Sequence, residues 1–196
     1  MMTRFLSSLR IDYKRPLQGG LLFIFLTFMT SPSWAQTIFQ KPTEALKVVF
    51  QKSESIVSAK KVLSEDQKQK IKKETGESLS RDEWVFYVAK TKGQVDGYAL
   101  IDHEIGKTEP ITFMTFITPE GAVKEVEILV YRETHGSEVR EKKFMKQFYG
   151  KDVNHPIMLG KDIIHMSGAT LSSRAIAKGV KRDLALWETF YGTSSK

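Results

Sequence analysis

A chain of 196 residues without a single cysteine has no disulfide framework, no thiol nucleophile and no cysteine-ligated iron–sulfur cluster, so any redox chemistry rests on an organic cofactor or on a metal held by other ligands. The formal charge of +7 falls mostly outside any cluster: the first 35 positions hold four of the 30 basic residues and one of the 23 acidic ones, leaving 26 against 22, about +4, over several polar runs. That pattern describes a solvated surface and not a nucleic-acid site.

Residues 1–35 have the layout of a secretory signal peptide. Arg4, Arg10, Lys14 and Arg15 precede the apolar run Leu21 to Met29, and Ser33-Trp34-Ala35 offers small residues for a peptidase cut after Ala35. The run is short for a membrane span. An exported protein is expected, periplasmic or membrane-associated on the extracytoplasmic side. The remaining residues, roughly 160 of them, suffice for one domain with a substantial core.

From Thr43 the segment TEALKVVFQKSESIVSAKKVL is amphipathic, with Leu46, Val49 and Phe50 on one side. Ser64-Glu65-Asp66-Gln67 then has the form of a capping box and opens a polar stretch to Lys73. A helix pair is predicted here. Lys68, Lys70, Lys72 and Lys73 lack interleaved aromatic residues and read as a solvated helix face.

Residues 84–131 read as strands: Trp84 to Ala89, a turn at Lys92-Gly93, Tyr98 to Asp102, then Ile111 to Ile117 and Val123 to Val130 joined by Pro119-Glu120-Gly121. That last join predicts an antiparallel hairpin, and Lys124, Glu125 and Glu127 put part of its second strand against water. The fold class is therefore α+β, an antiparallel sheet packed by helices in a single domain.

After Gly136, Val139, Phe144, Met145 and Phe148 mark the buried side of a helix predicted to end near Gly150, and Asn154-His155-Pro156 signals a turn. Asp162 to Tyr191 holds a strand-like apolar run, a turn of small residues and a long amphipathic helix. Its apolar side recurs through Ile176, Val180, Leu184, Trp187 and Tyr191, with Lys178, Lys181, Arg182 and Glu188 turned mostly away. Ser167, Gly168, Ala169 and Thr170 thus stand at a helix start, where unpaired N–H groups and a partial positive charge suit an anion. The hydroxyls of Thr170, Ser172 and Ser173 have two uses there, as caps, which is the commoner one, or as partners of a phosphate.

No metal site and no catalytic residue is assigned. His103-Glu104 lacks the second histidine of a zinc helix. His165 suits an ordinary surface or hydrogen-bonded role. Neither a G-x-S-x-G elbow nor a G-x-G-x-x-G dinucleotide loop occurs.

The segment SGATLSSRA with its following helix, and the stretch GYALIDHEIGKTEPITFMTFITPEGAVKEVEILVYRETHG before it, resemble the FMN-binding domain family over roughly residues 84–190. That family includes flavinylated periplasmic subunits of the sodium-pumping NADH:quinone reductase and of Rnf-type electron-transport complexes. The resemblance implies FMN as cofactor. It implies a phosphoester from FMN to Thr170 made by a dedicated flavin transferase, with Ser167, Gly168 and Ala169 forming the attachment turn and Ser172 and Ser173 beside it. Glu133, Thr134, His135 and Gly136 resemble a loop often written E-T-P-G that lies against the flavin ring, His135 standing in place of proline. One departure is Ile164, where the family usually carries an acidic residue six positions before the attachment threonine; Asp162 lies two residues earlier.

The implied organisation is a signal peptide over 1–35, an N-terminal helical segment over 36–83, an FMN-binding domain core over 84–191 and a flexible tail over 192–196. The implied role is that of an electron carrier serving a membrane oxidoreductase or other redox proteins. Two alternatives stand beside it, a structural or sensory module that holds FMN without a covalent bond, and an exported flavin-dependent reductase.

Overall fold

Strands and helices alternate at first, then give way to a meander and one long closing helix. The computed structural model describes residues 37–192, and the signal segment lies outside them. In chain order the elements are β1 (Thr37–Ile38), α1 (Pro42–Val49), β2 (Ser55–Val62), α2 (Glu65–Thr75), β3 (Glu83–Thr91), β4 (Gln94–Ile105), β5 (Pro110–Ile117), β6 (Val123–Tyr131), α3 (Lys142–Met145) between two 3-10 turns, and α4 (Thr170–Phe190). The strands form one antiparallel sheet in the order β1-β6-β5-β4-β3-β2.

Local chemistry accounts for most of the boundaries. Ser64 and Gln67 exchange the two bonds of a capping box at the start of α2, and Gly76 ends that helix in the left-handed region. Thr91 pairs with Gln94, so Lys92-Gly93 is a two-residue hairpin turn with both residues at positive φ. The β5–β6 hairpin turns through Gly121, where a Cβ would lie 2.2 Å from the Trp187 ring.

Alternation gives the sheet two working faces. On one, Phe86, Leu100, Phe113, Val126 and Ile128 meet Ile176, Val180, Leu184 and Trp187 of α4 and Ile71 of α2. Each of these large side chains contributes about 1.5–3 kcal/mol by leaving water. Gly179 lets α4 approach closely, since a Cβ there would sit 2.2 Å from the Phe113 ring. On the other face Ala45 and Leu46 of α1 and Phe50 just after it cover Ala99, Met114, Phe116 and Leu129.

Four local expectations are corrected. The amphipathic segment from Thr43 is helical only through α1, and its residues 55–62 form a strand, while the capping-box helix of the expected pair is α2. Ile56, Ala59, Val62 and Leu63 recur at helical spacing, but eight residue pairs with β3 win for a stretch rich in β-branched side chains. Residues 137–148 break at Glu141, whose extended backbone separates a 3-10 turn from α3. In one continuous helix Val139 and Phe144 would point about 140° apart; the break buries both. Residues 162–166 form a loop with a single bridge between Leu159 and Ile163, because the Gln147 amide, and no strand, bonds both backbone groups of Ile164.

Arg182, finally, does not turn away from the core. It is buried and grips Asp102, Glu104 and Glu77, while Lys178 bonds Glu77 and Glu104, and Arg81 bonds Asp102. Asp183, fully buried, accepts the Thr115 hydroxyl at 2.6 Å. Burial, and next the Asp102 carboxylate, push Asp183 well above the ordinary range. Four carboxyl groups thus face three cations in this cluster, and burial favours a proton on Asp183.

Candidate functional site

Thr170 is the first residue of α4, and Ala169 precedes it as N-cap with φ −128° and no side-chain cap bond. Among the described residues the N–H groups of Thr170, Leu171 and Ser172 have no partner. A 21-residue helix therefore opens with unsatisfied donors and the positive end of its dipole pointing outward. Thr170, Ser167 and Gly168 are exposed. Gly168 has φ +78°, and a Cβ there would meet nothing nearer than Glu138 Oε1 at 3.9 Å. The turn is thus open on its outer side, with room for an anion beside the Thr170 hydroxyl. FMN fits here by the chemistry of its phosphate: bare N–H groups, an unengaged hydroxyl and a glycine that needs no side-chain space.

Ser172 and Ser173, the two other hydroxyls expected beside the cofactor, are buried and bond within the protein. Ser173, fully buried, accepts the Met166 N–H at 3.1 Å and pins the attachment turn from within. Ser172 lies 2.8 Å from the Tyr131 phenol. Tyr131 donates its one proton to the His135 carbonyl at 2.6 Å, so Ser172 is the donor to Tyr131. This relay joins the end of β6 to the first turn of α4.

The relay brings the 133–136 loop beside the attachment turn. At Gly136, with φ +89°, a Cβ would lie 2.7 Å from Ser172 Oγ, 2.8 Å from Tyr131 Oη and 3.5 Å from Ala169 Cβ. Only glycine permits that approach. Glu133 reaches the other way, and its carboxylate accepts N–H bonds from Lys107, Thr108 and Glu109 and the Thr108 hydroxyl at 3.0 Å. Burial opposes its charge, but the N–H groups of Glu109, Thr108 and Lys107 prevail and hold the carboxyl below its ordinary value. Thr134 and His135 are exposed and bonded to each other at 2.9 Å. Of the four loop residues, then, Glu133 and Gly136 build the loop, and Thr134 and His135 are presented to solvent.

Upstream of the turn, Ile164 is 75% exposed. Asp162 turns inward, accepts the N–H groups of Ile157 and Met158 at 3.1 and 2.9 Å and pairs with Lys151 at 3.0 Å. Burial works against its charge, yet Met158 N–H and the Lys151 ammonium keep its carboxyl below the usual value. Asp162 is therefore spent on loop 157–162 and offers no free carboxylate. Tyr131 escaped the sequence reading, because its partner is 41 positions away; a lone aromatic residue at a strand end carries no local signal of it.

Residues 106–185 match the model of the FMN-binding domain family. Over 181 residues the chain is 25% identical to a component of the proton-translocating ferredoxin:NAD(+) oxidoreductase complex of Clostridium ljungdahlii, covering 89% of this chain and 86% of that one. The fold is similar to the crystal structure of NqrC from Shewanella oneidensis, with a TM-score of 0.53, 13% identity and coverage of 79% of this chain and 89% of that one. The matched residues contain the attachment turn, the 133–136 loop and the Tyr131 relay between them.

Proposed function

Residues 106–185 belong to the FMN-binding domain family, and on that premise we propose that this protein carries FMN through a phosphoester on Thr170 and passes electrons as a subunit of a membrane oxidoreductase. The observation that carries the covalent reading is the exposed Thr170 hydroxyl at the uncapped start of α4. An isolated helix start of this kind is usually capped by a Ser, Thr, Asn or Asp side chain. Here every nearby hydroxyl is exposed or used elsewhere, which leaves the N–H groups for an incoming phosphate.

FMN, once bound, supplies one- and two-electron redox chemistry. The chain's own residues position it: Ser173 and Met166 shape the turn, Gly168 admits the phosphate, and the Ser172–Tyr131–His135 relay holds the neighbouring loop. Attachment calls for a flavin transferase as maturation partner. Electron exchange calls for a membrane redox partner, in keeping with a relative that belongs to a ferredoxin:NAD(+) oxidoreductase complex. We place the folded part on the extracytoplasmic side on the strength of the signal-like residues 1–35. No helix among the described residues is long and apolar enough to cross a membrane.

Intact-mass measurement after coexpression with a flavin transferase tests the proposal. A gain of one FMN that Thr170→Ala abolishes is the expected result; an unchanged mass and a colourless protein would overturn it. Exposed Ile164, at the position where the family segment carries a carboxylate, favours a second reading in which FMN is held without a bond. Yellow protein that loses its colour on denaturation would identify that case.

A further inference from the structure

The sheet ends differently on its two sides. β1 is two residues long, and just beyond it Arg140 stacks on Phe39, its guanidinium 3.3 Å from the ring centre. At the opposite edge β2 runs for eight residues with no proline and no bulge in its ladder with β3, so two devices that protect an edge are missing. Leu63, one step past β2, donates to the Asp82 carbonyl at 2.9 Å. In a regular antiparallel ladder that bond directs Val57, Ala59 and Lys61 toward β3 and leaves both backbone groups of Ile56, Ser58, Lys60 and Val62 pointing off the sheet. Among the described residues these groups bond no other strand, since β2 closes the sheet order.

Lysine is a usual guard of an exposed edge, because its charge opposes an incoming strand. Both lysines of β2, however, are held by their own molecule. Lys60 pairs with Glu83 at 2.5 Å, and the Lys61 ammonium lies 4.9 Å from the centre of the Tyr191 ring. Apolar side chains are left in water beside the edge: Val62 is 63% exposed, Val57 46%, and Val85 on β3 40%.

The order of residues along β2 is also complementary to itself. With two copies antiparallel and Ala59 opposite Ala59 of the partner subunit, each residue whose backbone points outward meets another of the same kind. Ile56 then stands opposite Val62 of the partner subunit, and Ser58 opposite Lys60 of the partner subunit, so no like charges face each other directly. We propose that β2 is an interaction surface for a second copy of this chain, the two edges joining their sheets about a twofold axis at Ala59. An eight-residue edge gives an interface below about 1,200 Å2, so the dimer is weak, with a dissociation constant on the order of ten micromolar.

Because the chain has no cysteine, one introduced thiol reports on one position. In this register the two residues 59 have Cα atoms about 4.5 Å apart, within disulfide reach. The two residues 57 lie four positions apart along the edge, about 13 Å. Mild oxidation of the purified full-length protein is therefore expected to link Ala59→Cys into dimers roughly tenfold faster than Val57→Cys, although Val57 is the more exposed. Sedimentation of the protein without substitutions, which no folding defect of a variant can confuse, is expected to show monomer passing into dimer between micromolar and millimolar concentration. Ser58→Lys, which sets a charge against Lys60 of the partner subunit, should weaken that dimer roughly fivefold. Monomer throughout the range, equal linking at 57 and 59, or a dimer that Ser58→Lys leaves unchanged would overturn the proposal.

Discussion

The phenol of Tyr131 accepts the Ser172 hydroxyl at 2.8 Å while donating to the His135 carbonyl, so a single proton relay couples the last strand, the loop after it and the first turn of the last helix. Both side chains are buried. Severing the relay at either residue leaves a buried polar group without its partner.

Tyr131→Phe and Ser172→Ala are each expected to lower unfolding free energy by about 1–2 kcal/mol, measured by urea denaturation. The double variant should lose about 1 kcal/mol less than the sum of the two, because the second change removes a bond already broken. Strict additivity would show that the two residues act independently.

Glu133 is expected to matter through its charge. Its carboxyl titrates below the ordinary value of 4.5 in the folded chain, so it adds stability that is present above that value and lost as pH falls through the lowered one. Glu133→Gln should therefore be less stable than the wild type at pH about 7, by roughly 1 kcal/mol for a partly exposed group. The difference in melting temperature should shrink below pH about 4. A gap that persists in acid would assign the effect to packing instead.

Asp183 behaves in the opposite sense. Its folded value lies well above 3.8, so the folded chain holds a proton that the unfolded chain releases, and the stability this contributes is lost as pH rises from 3.8 toward the raised value. Asp183→Asn, which keeps the shape and an acceptor for Thr115, should gain on the wild type as pH rises from about 4.5 to 8.5 in urea midpoints. Asp183→Ala should lose about 2–3 kcal/mol throughout, from the void and the orphaned Thr115 hydroxyl. A wild-type and Asn pair that tracked in parallel across pH would mean that Asp183 is ionised in the fold.

Much of the architecture was readable from local chemistry. Runs of β-forming residues located four strands of the sheet, glycines at Gly93 and Gly121 located two hairpins, and the Ser64–Gln67 pair located a helix start. Segment 55–62 was not, since Ile56, Ala59 and Val62 recur every three residues, the helical spacing, and only the neighbouring β3 selects the strand. Ser172 and Ser173 read as candidate anion ligands because a hydroxyl near a helix start looks the same whether it faces solvent or core.

By itself, then, the order of residues determined which positions are apolar, where the chain turns and that Thr170 opens the final helix, all of which depend on neighbours within a few positions. Only the tertiary structure decided that this helix start is left uncapped, that Tyr131 meets Ser172 and that Arg182 is buried against Asp102, 80 positions away. Those facts depend on which distant groups satisfy a buried donor or charge, and backbone periodicity carries no record of a partner that arrives from another element.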